Sequence, residues 1–163
     1  MKKILLTAAA ATMLIVACSK DDNPVKPVDP TVEIKGDWTG ASYEMTGFIN
    51  GVAIEQTNKD QDELVKTLNL TLFKGTETAD SIKGTYGTDS KSLLGTYVVS
   101  TTNDTTRIDA KLTLSEDQEF AFAGDVNLTS DSLIVTKGIK GDVEFGDQTA
   151  DSTSTVVKFV RKK

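Results

Sequence analysis

The sequence of 163 residues contains no histidine, one cysteine and three prolines. Without histidine, the chain lacks the commonest general base, the usual activator of a nucleophile, and the commonest protein ligand of zinc, copper and haem iron. No pair of carboxylates and no glycine-rich phosphate loop is marked out by its spacing. The sequence therefore predicts a protein that is not an enzyme and that binds neither a metal nor another cofactor.

The first seventeen residues have the three-part layout of a secretion signal. Met1–Lys3 is basic, Ile4–Ala17 carries no charge, and a small residue precedes Cys18. The uncharged run is shorter than the roughly 20 residues that a membrane-spanning helix needs. We therefore expect residues 1–17 to be removed as a signal peptide rather than kept as a transmembrane anchor.

The four residues Ile15-Val16-Ala17-Cys18 resemble the lipobox of bacterial lipoproteins, in which an essential cysteine follows a small residue. The resemblance implies cleavage before Cys18, diacylglycerol on its thiol and a further acyl chain, such as palmitate, on the new amine. Two or more acyl chains hold a protein firmly in a membrane, because each buried methylene contributes about 0.8 kcal/mol. An ordinary secretory signal that happens to precede a cysteine is the alternative.

Charged residues follow the cysteine directly. The segment Lys20-Asp21-Asp22 resembles the export signal of Bacteroidota-type surface lipoproteins, in which a lysine and two acids follow the lipidated cysteine. This resemblance implies a lipid-anchored position on the outer face of the outer membrane. A solvated linker with no export role is the alternative.

The three prolines all lie between Cys18 and the first predicted strand. Pro24, Pro27 and Pro30 occur at every third position, a spacing typical of extended polyproline II. At roughly 3.1 Å per residue, this segment could hold a domain about 45 Å from a membrane. We predict a proline-containing tether over residues 18–33 and a single domain over residues 34–163, a length that suits one hydrophobic core.

The charge of the chain argues against a nucleic-acid partner. After removal of residues 1–17, 16 basic and 24 acidic residues remain, which gives a formal charge of −8. An acidic surface repels the phosphate backbone. The expected partners are therefore the membrane, through the lipid, and either a small apolar ligand or an envelope protein.

Apolar and polar residues alternate over much of the chain after residue 36, as in Phe120, Phe122 and Gly124 among polar or small neighbours. A period of two is typical of strands with one buried face, and Asn50-Gly51 between two apolar runs is a strong hairpin signal. Residues 58–65 predict a loop with a short helical turn. The predicted strands cover residues 37–49, 52–57, 66–74, 81–88, 94–101, 107–115, 119–128, 132–145 and 155–161.

The predicted fold class is all-β, an antiparallel meander of eight to nine strands. Closure into an up-and-down barrel removes exposed edges, and a β-sandwich with the same strand pattern remains the alternative. The segment Ile34-Lys35-Gly36-Asp37-Trp38 resembles the Gly-x-Trp motif at the start of lipocalins and lipocalin-like domains. The resemblance implies an eight-stranded barrel in which Trp38 closes one end and Arg161, near the last strand's end, packs across it.

Two functions are compatible with such a domain. The first is a lipid-anchored binding module for a small apolar or amphipathic molecule, and the second is a non-enzymatic structural or protein-interaction module with a filled core. An interior pocket of several hundred Å³ favours the first, whereas a packed interior with an exposed apolar patch favours the second. The predicted ligand-lining residues are Trp38, Tyr86, Tyr97, Phe120 and Phe122.

Four Asp-Ser or Asp-Thr pairs resemble the O-glycosylation sequon of Bacteroidota-type secreted proteins. Each is followed by an aliphatic residue or threonine and lies at a predicted turn or strand start. The resemblance implies candidate glycosylation sites at Ser81, Thr105, Ser132 and Ser152.

Overall fold

The structure is a computed structural model that describes residues 33–56, 58–145 and 147–163. The predicted signal peptide, Cys18 and all of the predicted tether except Glu33 lie outside these residues. The described chain is all-β, as predicted, with one helix. Its elements are β1 (Gly36–Ile49), β2 (Val52–Gln56), α1 (Lys59–Thr67), β3 (Asn69–Phe73), β4 (Asp80–Tyr86), β5 (Lys91–Thr102), β6 (Thr105–Ser115), β7 (Gln118–Leu128), β8 (Ser132–Phe145) and β9 (Gln148–Arg161).

The nine strands form one antiparallel meander sheet that closes in a ring. The strand order is β2-β1-β3-β4-β5-β6-β7-β8-β9, and β1 also pairs with β9 along Trp38–Phe48. β3 pairs with the start of β1, at Gly36–Thr39, whereas β2 pairs with its end, at Met45–Ile49. The meander prediction is therefore confirmed, and the ring is barrel-like because one continuous sheet returns to its own first strand.

Helix α1 covers the part of β1 that lies between its pairings with β3 and β2. The Gly40 N–H donates to the Leu68 carbonyl at 2.9 Å, and the Tyr43 N–H donates to the Asp62 carboxylate at 2.9 Å. A Cβ at Gly40 would lie 1.8 Å from the Val65 carbonyl oxygen, so only glycine permits this close approach. The helix thus satisfies backbone donors at an otherwise open strand edge.

The helix is longer than the short turn predicted over residues 58–65. The Asn58 side chain caps its N-terminus by accepting a hydrogen bond from the Gln61 N–H at 3.2 Å. Val65 is fully buried against the sheet, which stabilises the later turn. Because the helix continues to Thr67, β3 begins at Asn69 rather than at residue 66.

The inward side chains of the strands form one hydrophobic core. Phe122 packs against Phe120, with ring centroids 6.0 Å apart, and against Phe159, with centroids 5.2 Å apart. Trp38 and Leu112, from other parts of the ring, are fully buried in the same cluster. Alternation along each strand therefore places large apolar side chains inside the ring, where they fill the space between its walls.

Candidate functional site

One end of the ring, where β1 begins and β9 ends, is closed by the predicted pair Trp38 and Arg161. The Arg161 guanidinium lies over the indole ring, 4.3 Å from its centroid. It also donates to the Glu33 carbonyl at 2.7 Å and the Lys35 carbonyl at 3.2 Å. The indole N–H donates to the Ile34 carbonyl at 2.9 Å. These contacts tie the start of the domain to its last strand.

All five residues predicted to line a ligand pocket are buried in the core. Trp38 is fully buried, and Tyr86, Tyr97, Phe120 and Phe122 retain at most 8 % of their exposure. They belong to the same contiguous apolar cluster and contact other side chains of that cluster. The structure therefore brings the five residues together as packing residues of the interior, and one of them, Tyr97, also borders a cleft.

Among the clefts of the described residues, four that are open to solvent bear on function. The first, of about 780 Å³, lies at the Trp38 end and is lined by Lys35, residues 74–80 and Tyr97–Val99. Two others, of about 490 and 350 Å³, adjoin each other on the outer surface and share Thr96 and Lys111. The fourth, of about 200 Å³, lies near Asp37 and Thr71. We call the first of these the rim cleft.

Tyr97 lies in the wall of the rim cleft and pairs across the strands with Asp80. Its hydroxyl is buried and has no hydrogen-bond partner among the described residues. Burial raises the pKa of Tyr97 above its ordinary range, and the nearby negative charge of Asp80 adds to the effect. The hydroxyl is therefore a protonated donor at physiological pH that lies close to the Asp80 carboxylate.

The Asp80 carboxylate is shared between two neighbours. It accepts a hydrogen bond from the Gly75 N–H at 3.0 Å, and its second oxygen lies 3.9 Å from the Lys35 ammonium. The Lys35 and Asp80 side chains are both partly exposed, so the pair contributes little to stability. The Lys35 ammonium, the Asp80 carboxylate and the unpartnered Tyr97 hydroxyl therefore belong to residues at one side of the cleft.

The outer face of strands β5, β6 and β7 exposes apolar side chains together. Leu94 is 68 % exposed and Val98 is 49 % exposed, although both belong to a strand of the ring. The register places Thr96 beside Lys111 and then Ala121, and Val98 beside Asp109 and then Ala123. We call the surface formed by Leu94, Thr96, Val98, Lys111, Ala121 and Ala123 the β5–β7 face.

Two ion pairs involve the β5–β7 face or its border. Lys111, a member of the face, lies 2.8 Å from Glu119, and Arg107 lies 3.7 Å from Asp125 beside the face. All four side chains are more than half exposed, so these pairs place charge on and beside the face and add little to stability.

The sequence pattern contains a signal for this face that the prediction did not use. Leu93-Leu94 and Val98-Val99 are apolar doublets in a strand where strict alternation allows one inward residue in two. One member of each doublet must therefore face outward, and these are Leu94 and Val98. Neither Lys35 nor Asp80 carries such a local signal, because they come together only through the pairing of β1 with β3 and of β3 with β4.

The four candidate glycosylation sites differ in accessibility. Thr105 is exposed at the start of β6, directly after the Asn103-Asp104 turn. Ser81, Ser132 and Ser152 are only partly exposed and lie within strands, and the Ser132 hydroxyl is hydrogen-bonded to that of Thr129 at 2.8 Å.

Among the described residues, no helix has the length and apolar character needed to cross a membrane. The same residues contain no group of three or more acidic or cysteine side chains that could hold a metal ion. Comparisons with protein-family models, with curated proteins and with solved structures found no match to this chain. The lipoprotein and lipocalin-like resemblances stay predictions.

Proposed function

We propose that the mature protein is a non-enzymatic protein-interaction module, anchored by lipid at Cys18 on the outer-membrane surface and binding its partner through the β5–β7 face. The observation that carries this proposal is the distribution of apolar side chains. The aromatic residues expected to line a pocket fill the interior, whereas Leu94 and Val98 are exposed together outside. This combination favours a protein partner over an enclosed small ligand.

The chemistry of the β5–β7 face supports a protein partner. Its apolar side chains lie on β5 and β7, and the polar side chains of Asp109 and Lys111 lie between them on β6. Interfaces between proteins commonly combine an apolar centre with a charged, solvent-accessible border. The ion pair of Arg107 with Asp125 supplies such a border, whereas Asp109 and Lys111, the latter paired with Glu119, place charge between the apolar side chains.

The proposed location rests on the two N-terminal resemblances and on the charge of the chain. A lipid at Cys18 would hold the domain at the membrane, and the Lys20-Asp21-Asp22 segment would direct it to the outer face. The mature chain's formal charge of −8 is compatible with a surface position and unfavourable for nucleic-acid binding.

The contact face can be tested by photo-crosslinking in the source cell. A photoreactive amino acid is placed at position 94 and, as a matched control, at position 160, where Val160 is 39 % exposed on another strand. We expect a discrete adduct of one defined mass from position 94 and none from position 160. A Leu94→Lys substitution should lower pull-down of that partner by the protein at least tenfold. The same adducts from both positions, or none from either, would contradict the proposal.

The anchor is tested separately by Cys18→Ala, with Ser19→Ala as the control. We expect the first variant to remain as an uncleaved precursor or to be released, and to incorporate no labelled palmitate, whereas the control behaves like the wild type. If Cys18→Ala were cleaved and recovered in the membrane fraction as before, the lipoprotein part of the proposal would be wrong.

A further inference from the structure

The rim cleft contains an incomplete set of polar contacts, which points to a ligand of one chemical kind. We propose that it binds a neutral, hydroxyl-rich small molecule, such as a polyol or an oligosaccharide, with one ligand hydroxyl held between Lys35, Asp80 and Tyr97. The cleft volume of about 780 Å³ lies within the range of known small-molecule sites. This site lies apart from the β5–β7 face, which it meets only at Val98, so either proposal can fail alone.

The Tyr97 hydroxyl gives the first reason. The residue is 1 % exposed, and its hydroxyl has no hydrogen-bond partner among the described residues. Buried polar groups are nearly always hydrogen-bonded, so an unpartnered hydroxyl on a residue that lines a cleft calls for an explanation. A ligand atom that accepts a hydrogen bond at this position would provide one.

The spacing of Lys35 and Asp80 gives the second reason. Their charged atoms are 3.9 Å apart, longer than a hydrogen bond, and a polar separation of this length leaves room for an oxygen that bridges both groups. The Lys35 ammonium only donates and the Asp80 carboxylate only accepts. The bridging atom must therefore both accept and donate.

A ligand hydroxyl has the matching set of hydrogen-bond functions. It carries one donor, which Asp80 can accept, and two acceptor lone pairs, which Lys35 and Tyr97 can fill. A ligand carboxylate lacks the donor and is repelled by Asp80. A ligand ammonium lacks the acceptors and is repelled by Lys35. The three side chains thus select a neutral hydroxyl over either charged group.

The turn before Asp80, which also lines the cleft, is held in place before a ligand arrives. The Thr76 N–H donates to the Ala79 carbonyl at 2.8 Å, and the Gly75 N–H donates to the Asp80 carboxylate. A Cβ at Gly75 would lie 2.5 Å from the Ala79 carbonyl oxygen, so glycine is needed for this tight turn. The hydroxyls of Thr76 and Thr78 lie on this turn, where they can contact further ligand hydroxyls.

Saturation-transfer NMR on the full chain, purified from membranes in a phosphocholine detergent that carries no sugar, tests the proposal. The neutral probes are maltotriose and sorbitol, which separate a sugar from a linear polyol. The charged probes are glutarate, a dicarboxylate, and cadaverine, a diamine, neither of which carries a hydroxyl. We expect transfer to at least one neutral probe and none to the charged probes. Because one hydrogen bond is lost, Tyr97→Phe should weaken that binding about three- to tenfold, and Asp80→Asn should weaken it at least as much.

The matched control is Tyr86→Phe, which removes the hydroxyl of another buried tyrosine that does not line the cleft. It should bind the neutral probes as the wild type does. The proposal is overturned if neither neutral probe shows transfer at millimolar concentration, if charged probes bind equally well, or if Tyr97→Phe and Tyr86→Phe bind alike. Leu94→Lys should leave this binding unchanged, which separates the result from that of the β5–β7 face.

Discussion

Arg161 and Glu33 are joined by a hydrogen bond across 128 residues of the chain, from the guanidinium to the Glu33 carbonyl at 2.7 Å. The same guanidinium donates to the Lys35 carbonyl and covers the ring of Trp38. A single side chain of β9 therefore holds both Glu33, the first described residue of the chain, and Trp38, the aromatic residue at this end of the ring. This relationship makes a quantitative prediction about stability.

We expect Arg161→Ala to lower the free energy of unfolding by about 2 kcal/mol, because a cation–π contact and two charge-assisted hydrogen bonds are lost. Arg161→Lys should have an intermediate effect, because a lysine ammonium lacks the planar geometry with which the guanidinium donates to two carbonyls at once. Urea unfolding followed by the fluorescence of Trp38, the only tryptophan, measures both effects at the site itself. Lys162→Ala, an exposed neighbour, is the control, and an equal loss in that variant would contradict the prediction.

The filled interior predicts a large cost for truncating Phe122. Phe122→Ala should lower the free energy of unfolding by about 3–5 kcal/mol, and the resulting cavity should bind an apolar probe such as benzene. The wild type should not bind the probe, because its interior is occupied by side chains. Phe73→Ala, at a partly exposed position on β3, should cost far less. Benzene binding by the wild type would show that the interior is not filled.

Removal of the unpartnered Tyr97 hydroxyl should not lower the free energy of unfolding, in contrast to the truncation of Phe122. Because a buried hydroxyl without a partner costs about 1 kcal/mol or more, Tyr97→Phe should keep or raise the free energy of unfolding at neutral pH. Tyr86→Phe, which removes the hydroxyl of another buried tyrosine, serves as the comparison. A loss above 1 kcal/mol for Tyr97→Phe alone would mean that its hydroxyl is satisfied.

The same residue should make stability depend on alkaline pH. Burial raises the pKa of Tyr97 above its ordinary value of 10.0, so the folded protein retains this proton when the unfolded chain has released it. The stabilising contribution is complete below pH 10.0 and is lost as the pH rises through the higher pKa of the folded state. Above pH 10.0, the free energy of unfolding of the wild type should therefore fall more steeply than that of Tyr97→Phe, as measured by urea unfolding. Parallel pH profiles would contradict this assignment.

Accessibility distinguishes the four candidate glycosylation sites. A transferase acting on the folded protein can reach Thr105 at its hairpin tip more easily than Ser81, Ser132 or Ser152 within the sheet. Intact-mass spectrometry of protein from the source cell should show a glycan that Thr105→Val removes and Ser132→Ala leaves in place. Unmodified wild-type protein would refute the sequon resemblance.

Much of the fold could be predicted because alternation is a local property. The predicted and observed bounds of β1, β7 and β8 agree within one residue. The start of β9 was wrong by seven residues, at Gln148 instead of 155, because Gln148–Ser154 is almost entirely polar or small. This segment is a strand because its backbone pairs with β8 and, from Ser152, with β1, which a side-chain pattern does not record.

The site was less predictable than the fold. Alternation identified Phe120 and Phe122 as inward residues, but whether inward residues fill a ring or line a cavity depends on the size of the ring and the covering helix. Lys35 and Asp80 are far apart in the sequence and meet only because β3 and β4 place them at the same end. The contact of Arg161 with Trp38 was suggested by the resemblance of the chain ends rather than by any local pattern.

The pairing of β1 with β9 has a mechanical consequence. If the chain is held at Cys18 while the β5–β7 face is bound to a partner, a pulling force enters the domain at Glu33 and acts along the axis of β1. The ladder between Trp38–Phe48 and β9 then bears the load in shear, so its hydrogen bonds must break together rather than one after another. The rate of forced unfolding is governed by the unfolding barrier. The Arg161 side chain is hydrogen-bonded to Glu33, the residue at which the force enters. A domain held in this way would resist unfolding under tension through that ladder.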